Sequence, residues 1–163
     1  MAEPRRTKSP AEESVRGARF LIVEARFYDE IAAMLLNGAI AALKHAEARY
    51  LCWQVPGALE IPIALAIALD MAETSGAPFQ GALALGCVVR GETAHFDIVA
   101  RESARAAIDL AVERRLPFGN GILTVDNIAH AKKRADPKQG DKGGEAARAA
   151  LALYRLKSGQ GAS

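Results

Sequence analysis

The sequence predicts a single α/β domain with a four-stranded parallel sheet and helices on both faces. Three observations carry this expectation. Short apolar runs rich in β-branched residues recur at 18–25, 49–55, 81–90 and 119–125. Segments with apolar residues at helical spacing lie between them. The resulting order, β-α-β-α-β-α-β-α-α, suits parallel strands joined by right-handed crossovers. The chain has 163 residues, half of them hydrophobic and a quarter charged. That composition is ordinary for a globular domain, and the length is enough for one core and short for two.

Each element has its own signal. Residues 1–17 are polar with two prolines and are expected to form a mobile tail. Ala18 to Ala25 is a near-continuous apolar run, suited to a strand buried on both faces. From Asp29 to about Glu47 the residues Ile31, Leu35, Ala39, Ala42, Leu43 and Ala46 recur at helical spacing, with Asp29 expected as the N-cap. Arg49–Val55 is the second strand, ended by Pro56-Gly57. Glu60 and Pro62 open a helix to about Glu73, both being favoured or tolerated in a first turn. Gly81 to Arg90 is the third strand, followed by a helix from about Phe96 to Arg115. Gly119–Val125 is the fourth. Asp126 is expected to cap a short helix ending near Arg134, 135–144 to form a loop, and 145–157 a last helix with Ala147, Ala150, Leu151 and Tyr154 on one stripe. Residues 158–163 read as a disordered tail, leaving one domain over 18–157.

Composition excludes several classes. A net charge of +2 is too small for a nucleic-acid surface or a basic membrane patch. No run reaches the roughly 18 apolar residues of a membrane span. Arg5, Arg6 and Lys8 are not followed by the apolar segment of a secretory signal. Cys52 and Cys87 sit in apolar strands with neither disulfide nor zinc spacing, so both read as free buried thiols. A cytoplasmic protein is expected.

Chemistry concentrates where strands end. In a parallel sheet the loops after the strands share one edge, where ligands bind. Here those loops carry Phe27, Glu60 and the run Gly91-Glu92-Thr93-Ala94-His95. An aromatic ring can stack on a planar ligand. Glu60 can accept hydrogen bonds from hydroxyls, and N–H groups near Glu92 and Thr93 can hold an anion. His95 is suited to proton transfer near neutral pH. Each also has a structural explanation: Phe27 can close the end of the first helix, Glu60 can serve the helix dipole, and His95 can decorate its helix. His45 and His130 take only the structural one. Arg134, Lys138 and Lys142, spaced by four, are either a solvated basic face or a phosphate grip. No Walker-type or dinucleotide glycine pattern is present, so no nucleotide cofactor is implied.

Five motifs in order resemble one family. Arg26-Phe27, Val55-Pro56-Gly57-Ala58-Leu59-Glu60-Ile61-Pro62, Gly86 to Asp97, Gly121-Ile122-Leu123-Thr124 and Lys142-Gly143 look like those of the 6,7-dimethyl-8-ribityllumazine synthases, over about residues 18–157. The resemblance implies a flavodoxin-like sandwich. It also implies the condensation of 5-amino-6-(D-ribitylamino)uracil with 3,4-dihydroxy-2-butanone 4-phosphate, the penultimate step of riboflavin synthesis, without metal or cofactor. The partners implied are those two small molecules and further copies of the chain, as a homopentamer or a larger shell, with no nucleic acid and no membrane.

By motif, Phe27 would stack on the pyrimidine. Ala58 and Glu60, with Leu59 between them, would hold the ribityl chain and its surroundings. Val88 and Val89 would line the ring pocket, Glu92 and Thr93 would bind phosphate, and His95 would shuttle protons. From a neighbouring subunit, Arg134 would bind phosphate, Lys142 would approach the reacting centre and Glu145 would hydrogen-bond near His95. Lys138 matches a further basic position. One departure stands out. Many members place a phenylalanine before the glycine of the fourth strand, reaching into the neighbour's ring pocket, and here that residue is Asn120. Phe118 lies on the same side of the strand but two residues earlier, so it does not substitute. Tyr28 stands where asparagine is common.

A second function fits the same fold: a protein that holds a lumazine or flavin without turnover. His95 and the basic trio favour the enzyme, because a ring binder needs neither. A signalling domain with the same strand–helix order would need an acidic cluster after the first strand, which is missing.

Overall fold

A computed structural model describes residues 14–160. Four parallel strands pair in the order β2-β1-β3-β4: β1 (Arg19–Ala25), β2 (Arg49–Val55), β3 (Gly81–Val89) and β4 (Phe118–Val125). The helices are α1 (Asp29–His45), α2 (Glu60–Thr74), α3 (His95–Arg114), α4 (Ile128–Ala135) and α5 (Lys142–Lys157). The expected α/β class and the all-parallel sheet are both present.

Alternation along the strands divides the core in two. Phe20 and Ile22 of β1, Leu83 and Leu85 of β3, and Leu123 and Val125 of β4 face α1, α4 and α5. Leu21, Val23, Ala82, Ala84, Phe118 and Ile122 face α2 and α3. Period-two alternation with both faces apolar is why the strands read as continuous hydrophobic runs. Edge strand β2 is exposed or half-buried throughout.

Several boundaries differ from expectation for local reasons. Asp29 is not the N-cap. Tyr28 is, and Asp29 is the first helical residue, its charge favourable to the dipole there. Asn127, not Asp126, caps α4 by accepting the His130 N–H at 2.9 Å. Asp126 instead pairs with Arg90 at 3.1 Å. The last helix begins at Lys142 rather than 145, because Asp141 caps it and accepts the Gly144 N–H at 3.3 Å. Val15 falls inside the expected mobile tail yet is buried, with its N–H on the Ala46 carbonyl at 2.9 Å. The packed chain therefore starts before β1. Residues 158–160 close α5 with a turn in which Gln160 N–H reaches the Arg155 carbonyl at 2.9 Å. The rest of both expected tails, 1–13 and 161–163, lies outside the described residues.

Gly143 and Gly144 had the look of loop residues. They are helical because α5 crosses α1 and β4 with backbone against backbone. A Cβ at Gly143 would overlap the Leu35 carbonyl of α1, and one at Gly119 of β4 would overlap the Ala146 carbonyl of α5. Among the described residues no helix is long and apolar enough to cross a membrane.

Both cysteines are free and half-buried. Burial first, and then the Glu24 carboxylate, push the Cys52 thiol from an ordinary 9.0 up to about 11. Burial alone pushes Cys87 to about 11.

Two outcomes follow from this packing. Gly143→Ala should destabilise the fold by about 2–4 kcal/mol, since the clash with Leu35 outweighs the ~1 kcal/mol that alanine gains in a helix. Denaturant unfolding measures this, and a neutral or stabilised variant would contradict the close crossing. The native thiols should resist a maleimide or disulfide reagent at pH 8, where a thiol with a value of about 11 is only ~0.1% thiolate. Because folding raises both values, the stability they contribute is complete below pH 9 and falls as pH rises toward 11. Fast labelling of the folded chain at pH 8 would refute that burial.

Candidate functional site

The carboxyl ends of β1, β2 and β3 place three loops on one edge of the sheet. The first carries Phe27, whose ring is 72% exposed although aromatic. It stands edge-on to Tyr28, with centroids 5.0 Å apart and planes at 68°. Tyr28 packs on the core beneath. Arg26 joins Glu24 on β1 (3.2 Å) to Asp29 in the first turn of α1 (3.6 Å), spanning the turn that holds Phe27. An aromatic held out of the core on a braced turn leaves its ring free to stack on a planar ligand.

The second loop runs from Pro56 to Leu59. Ala58 is buried, Leu59 half-buried and Glu60 exposed as the first residue of α2. A Cβ at Gly57 would sit 3.0 Å from Glu60 Oε2, so the carboxylate folds back over a loop that has no side chain at that point. The result is an acceptor above a bare backbone.

The third loop follows Val88 and Val89. Consecutive on one strand, they point to opposite faces: Val88 packs on the α2–α3 side and Val89 on the α1–α5 side. Gly91, Glu92 and Thr93 are exposed. No side chain caps α3 from Ala94. Thr93 Oγ1 accepts the His95 N–H at 3.4 Å, and His95, the first residue of α3, is exposed. Arg90 braces this turn. Its guanidinium lies 4.3 Å from the Phe96 ring centroid, 3.1 Å from Asp126 and 3.7 Å from Asp97. Sequence inspection missed Arg90; its signal was the pair of acids, Asp97 and Asp126, that the topology brings to it.

The remaining expected residues lie on β4, α4, α5 and the turn between those two helices. Asn120 pairs across from Ala84 in mid-sheet, five residues before the end of β4. Ala84 also pairs with Val23, so Asn120 is level with Val23 and two rungs, about 7 Å, below the end of β1 that leads to Phe27. Its Oδ1 accepts the Ile122 N–H at 3.1 Å. On one side it lines an open cavity of about 330 Å³ with Asp97, Arg101 and Thr124. On the other it lines one of about 270 Å³ with Lys142, Glu145 and Ala146. Phe118 shares its face and is buried, so it cannot stand in for Asn120. Lys142 Nζ is 2.8 Å from Glu145 Oε2 of the same helix. Arg134 is exposed in the last turn of α4, reaching the His130 carbonyl at 3.2 Å. The salt bridge of Lys132 to Glu30, 2.8 Å, fastens that helix to α1. Lys138 is exposed in the turn between α4 and α5.

One chain thus brings Phe27, Glu60, Thr93 and His95 to one edge. It sets Asn120, Lys142 and Glu145 together along the open side of β4. Neither of the two cavities beside Asn120 is lined by Phe27, Glu60, Thr93 or His95. The described residues contain no group of three or more His, Cys, Asp or Glu arranged for a metal ion.

Comparison with known proteins gives one consistent result. The family model of 6,7-dimethyl-8-ribityllumazine synthase matches residues 17–158. A protein of that name from Methylocella silvestris is 62% identical over 162 residues, covering 99% of each chain. One from Beijerinckia indica is 62% identical over 159 residues, covering 96% of this chain and 86% of that one. A 6,7-dimethyl-8-ribityllumazine synthase 1 from Rhodopseudomonas palustris is 58% identical over 157 residues, 96% of each.

Proposed function

The chain belongs to the 6,7-dimethyl-8-ribityllumazine synthase family, and we propose that each of its active sites is assembled from two neighbouring copies. The reaction condenses 5-amino-6-(D-ribitylamino)uracil with 3,4-dihydroxy-2-butanone 4-phosphate, yielding 6,7-dimethyl-8-ribityllumazine with release of phosphate and water. It is a transferase step of riboflavin synthesis. The relatives carry the enzyme's name, and a binding-only role has no support among them.

The observation that carries the two-copy site is the split of the candidate residues into an edge group and a β4 group. One copy supplies Phe27 to stack on the pyrimidine, Ala58, Leu59 and Glu60 for the ribityl chain, and Val88 and Val89 at the strand end. It also supplies Glu92 and Thr93 at the phosphate and His95 for proton transfer. The neighbour supplies Asn120 beside the ring, Arg134 at the phosphate and Lys142 near the reacting carbons. The exposed apolar residues support an assembly. Ile63, Ile67 and Met71 of α2 are 61, 51 and 58% exposed in the lone chain, at a spacing of four that makes one helical stripe. Such a stripe marks an interface. The assembly is a homopentamer or a multiple of it, and we place it in the cytoplasm, where free thiols such as Cys52 and Cys87 persist.

The chemistry follows from the parts. The ring amine attacks the ketone, and loss of water gives an imine. Elimination expels phosphate and leaves an enol that tautomerises to a ketone; the ribitylamino nitrogen attacks that carbonyl, and a second water leaves as the ring closes. His95 relays protons between these steps, while Arg134 and the Thr93 turn receive the departing phosphate. Holding two substrates together supplies much of the acceleration.

Purified protein should form lumazine with saturation in both substrates and no added metal or cofactor; only the background rate would overturn the assignment. His95→Ala should slow kcat by roughly 10²–10⁴-fold without abolishing it. A complete loss would show that His95 does more than move protons. Arg134→Ala should raise KM for the butanone phosphate by roughly tenfold and leave that for the pyrimidine nearly unchanged. Equal rises would remove Arg134 from the phosphate.

A further inference from the structure

Glu24 is out of place in the sheet. Among the described strand residues it is the one buried charge, 1% exposed, on the same face as the fully buried Phe20 and Ile22. Its Oε1 accepts from Gln54 Nε2 on β2 at 3.0 Å and from Arg26 Nε at 3.2 Å. Its Oε2 is buried with no hydrogen-bond partner among the described residues. A buried carboxylate is costly, and apolar residues of like size often stabilise a core better. Stability therefore does not explain it.

Its location does. Ala25↔Val55 is the last rung between β1 and β2. Beyond it one strand turns into Arg26–Tyr28 and the other into Pro56–Leu59. Glu24 sits one rung before the parting and holds a side chain from each strand. Arg26, held by Glu24, also reaches Asp29 at 3.6 Å. Only Phe27 and Tyr28 lie between the two ends of that brace.

We infer that Glu24 is a positioning residue for the pyrimidine site: through Arg26 it fixes the turn that bears Phe27, and through Gln54 it sets that turn against the segment leading to Glu60. This rests on the assignment of Phe27 and Glu60 to the pyrimidine substrate. Arg26 belongs to the same device. Its guanidinium is directed inward and toward Asp29, which leaves Phe27 to stand free at 72% exposure.

Two variants test it. Glu24→Gln keeps the shape and removes the charge that holds Arg26; Arg26→Gln removes the other partner. Each should raise KM for the ribitylaminouracil roughly tenfold, with KM for the butanone phosphate and kcat within about twofold. Amide hydrogen exchange should quicken in both 26–29 and 56–60 and stay unchanged at 95–98. The double variant should be no worse than the worse single one. Equal rises in the two KM values, or unchanged exchange in both loops, would overturn the inference. A wild-type chain without saturable turnover would fail the functional assignment alone, and the exchange comparison would still decide the role of Glu24.

Discussion

The fold depends on a crossing without side chains. At Gly143 helix α5 lies directly on the Leu35 carbonyl of α1, and at Gly119 strand β4 lies directly on the Ala146 carbonyl of α5. Any Cβ at either position would push the layers apart. This seat fixes Lys142, one residue before the contact, and brings it into one cavity with Asn120. The close packing and the role proposed for Lys142 therefore meet in the same turn of helix. The Asp141 cap, held also by Arg148 at 3.0 Å, starts the helix where the crossing needs it.

On the other half of the site the organising constraint is parallel pairing. It puts the ends of β1, β2 and β3 on one edge, so three loops distant in sequence face the same space. Charged braces then stiffen them. Glu24, Arg26 and Asp29 hold the first, the Glu60 carboxylate folds over the second, and Arg90 holds the third to Asp97 and Asp126. Exposed ion pairs contribute little to stability. Their work here is to limit where Phe27 and His95 can be, and orientation is what a two-substrate condensation needs most.

Much of this was legible in the sequence. Periodicity gave all four strands and five helices in order, because two faces of apolar residues leave continuous strand runs and the helices carry clear stripes. The glycine turn before His95 and the Phe27 turn were found where the topology puts them. What escaped was tertiary. Gly143 and Gly144 read as a loop because a close crossing has no local signature. Asp29 and Asp126 have the residue type of a cap, but Tyr28 and Asn127 hold those places. Val88 and Val89 end β3 side by side and send their side chains to opposite faces of the sheet, which their shared motif does not show. Glu24 sat unremarked in an apolar run, and that mismatch was the signal it offered.

The claim that one site needs two chains is tested most directly by complementation. His95→Ala spoils the edge group and Arg134→Ala the residues assigned to the neighbouring copy, each on its own chain. Unfolded together and refolded as mixed assemblies at equal amounts, the two chains should regenerate wild-type sites at about a quarter of the positions, by random neighbour pairing in a ring. With the butanone phosphate held well below its wild-type KM, lumazine formation should then exceed the sum of the two separate variants and approach that fraction of the wild-type rate. A mixture no faster than the sum, with mixed assemblies verified by mass, would place the whole site within a single chain.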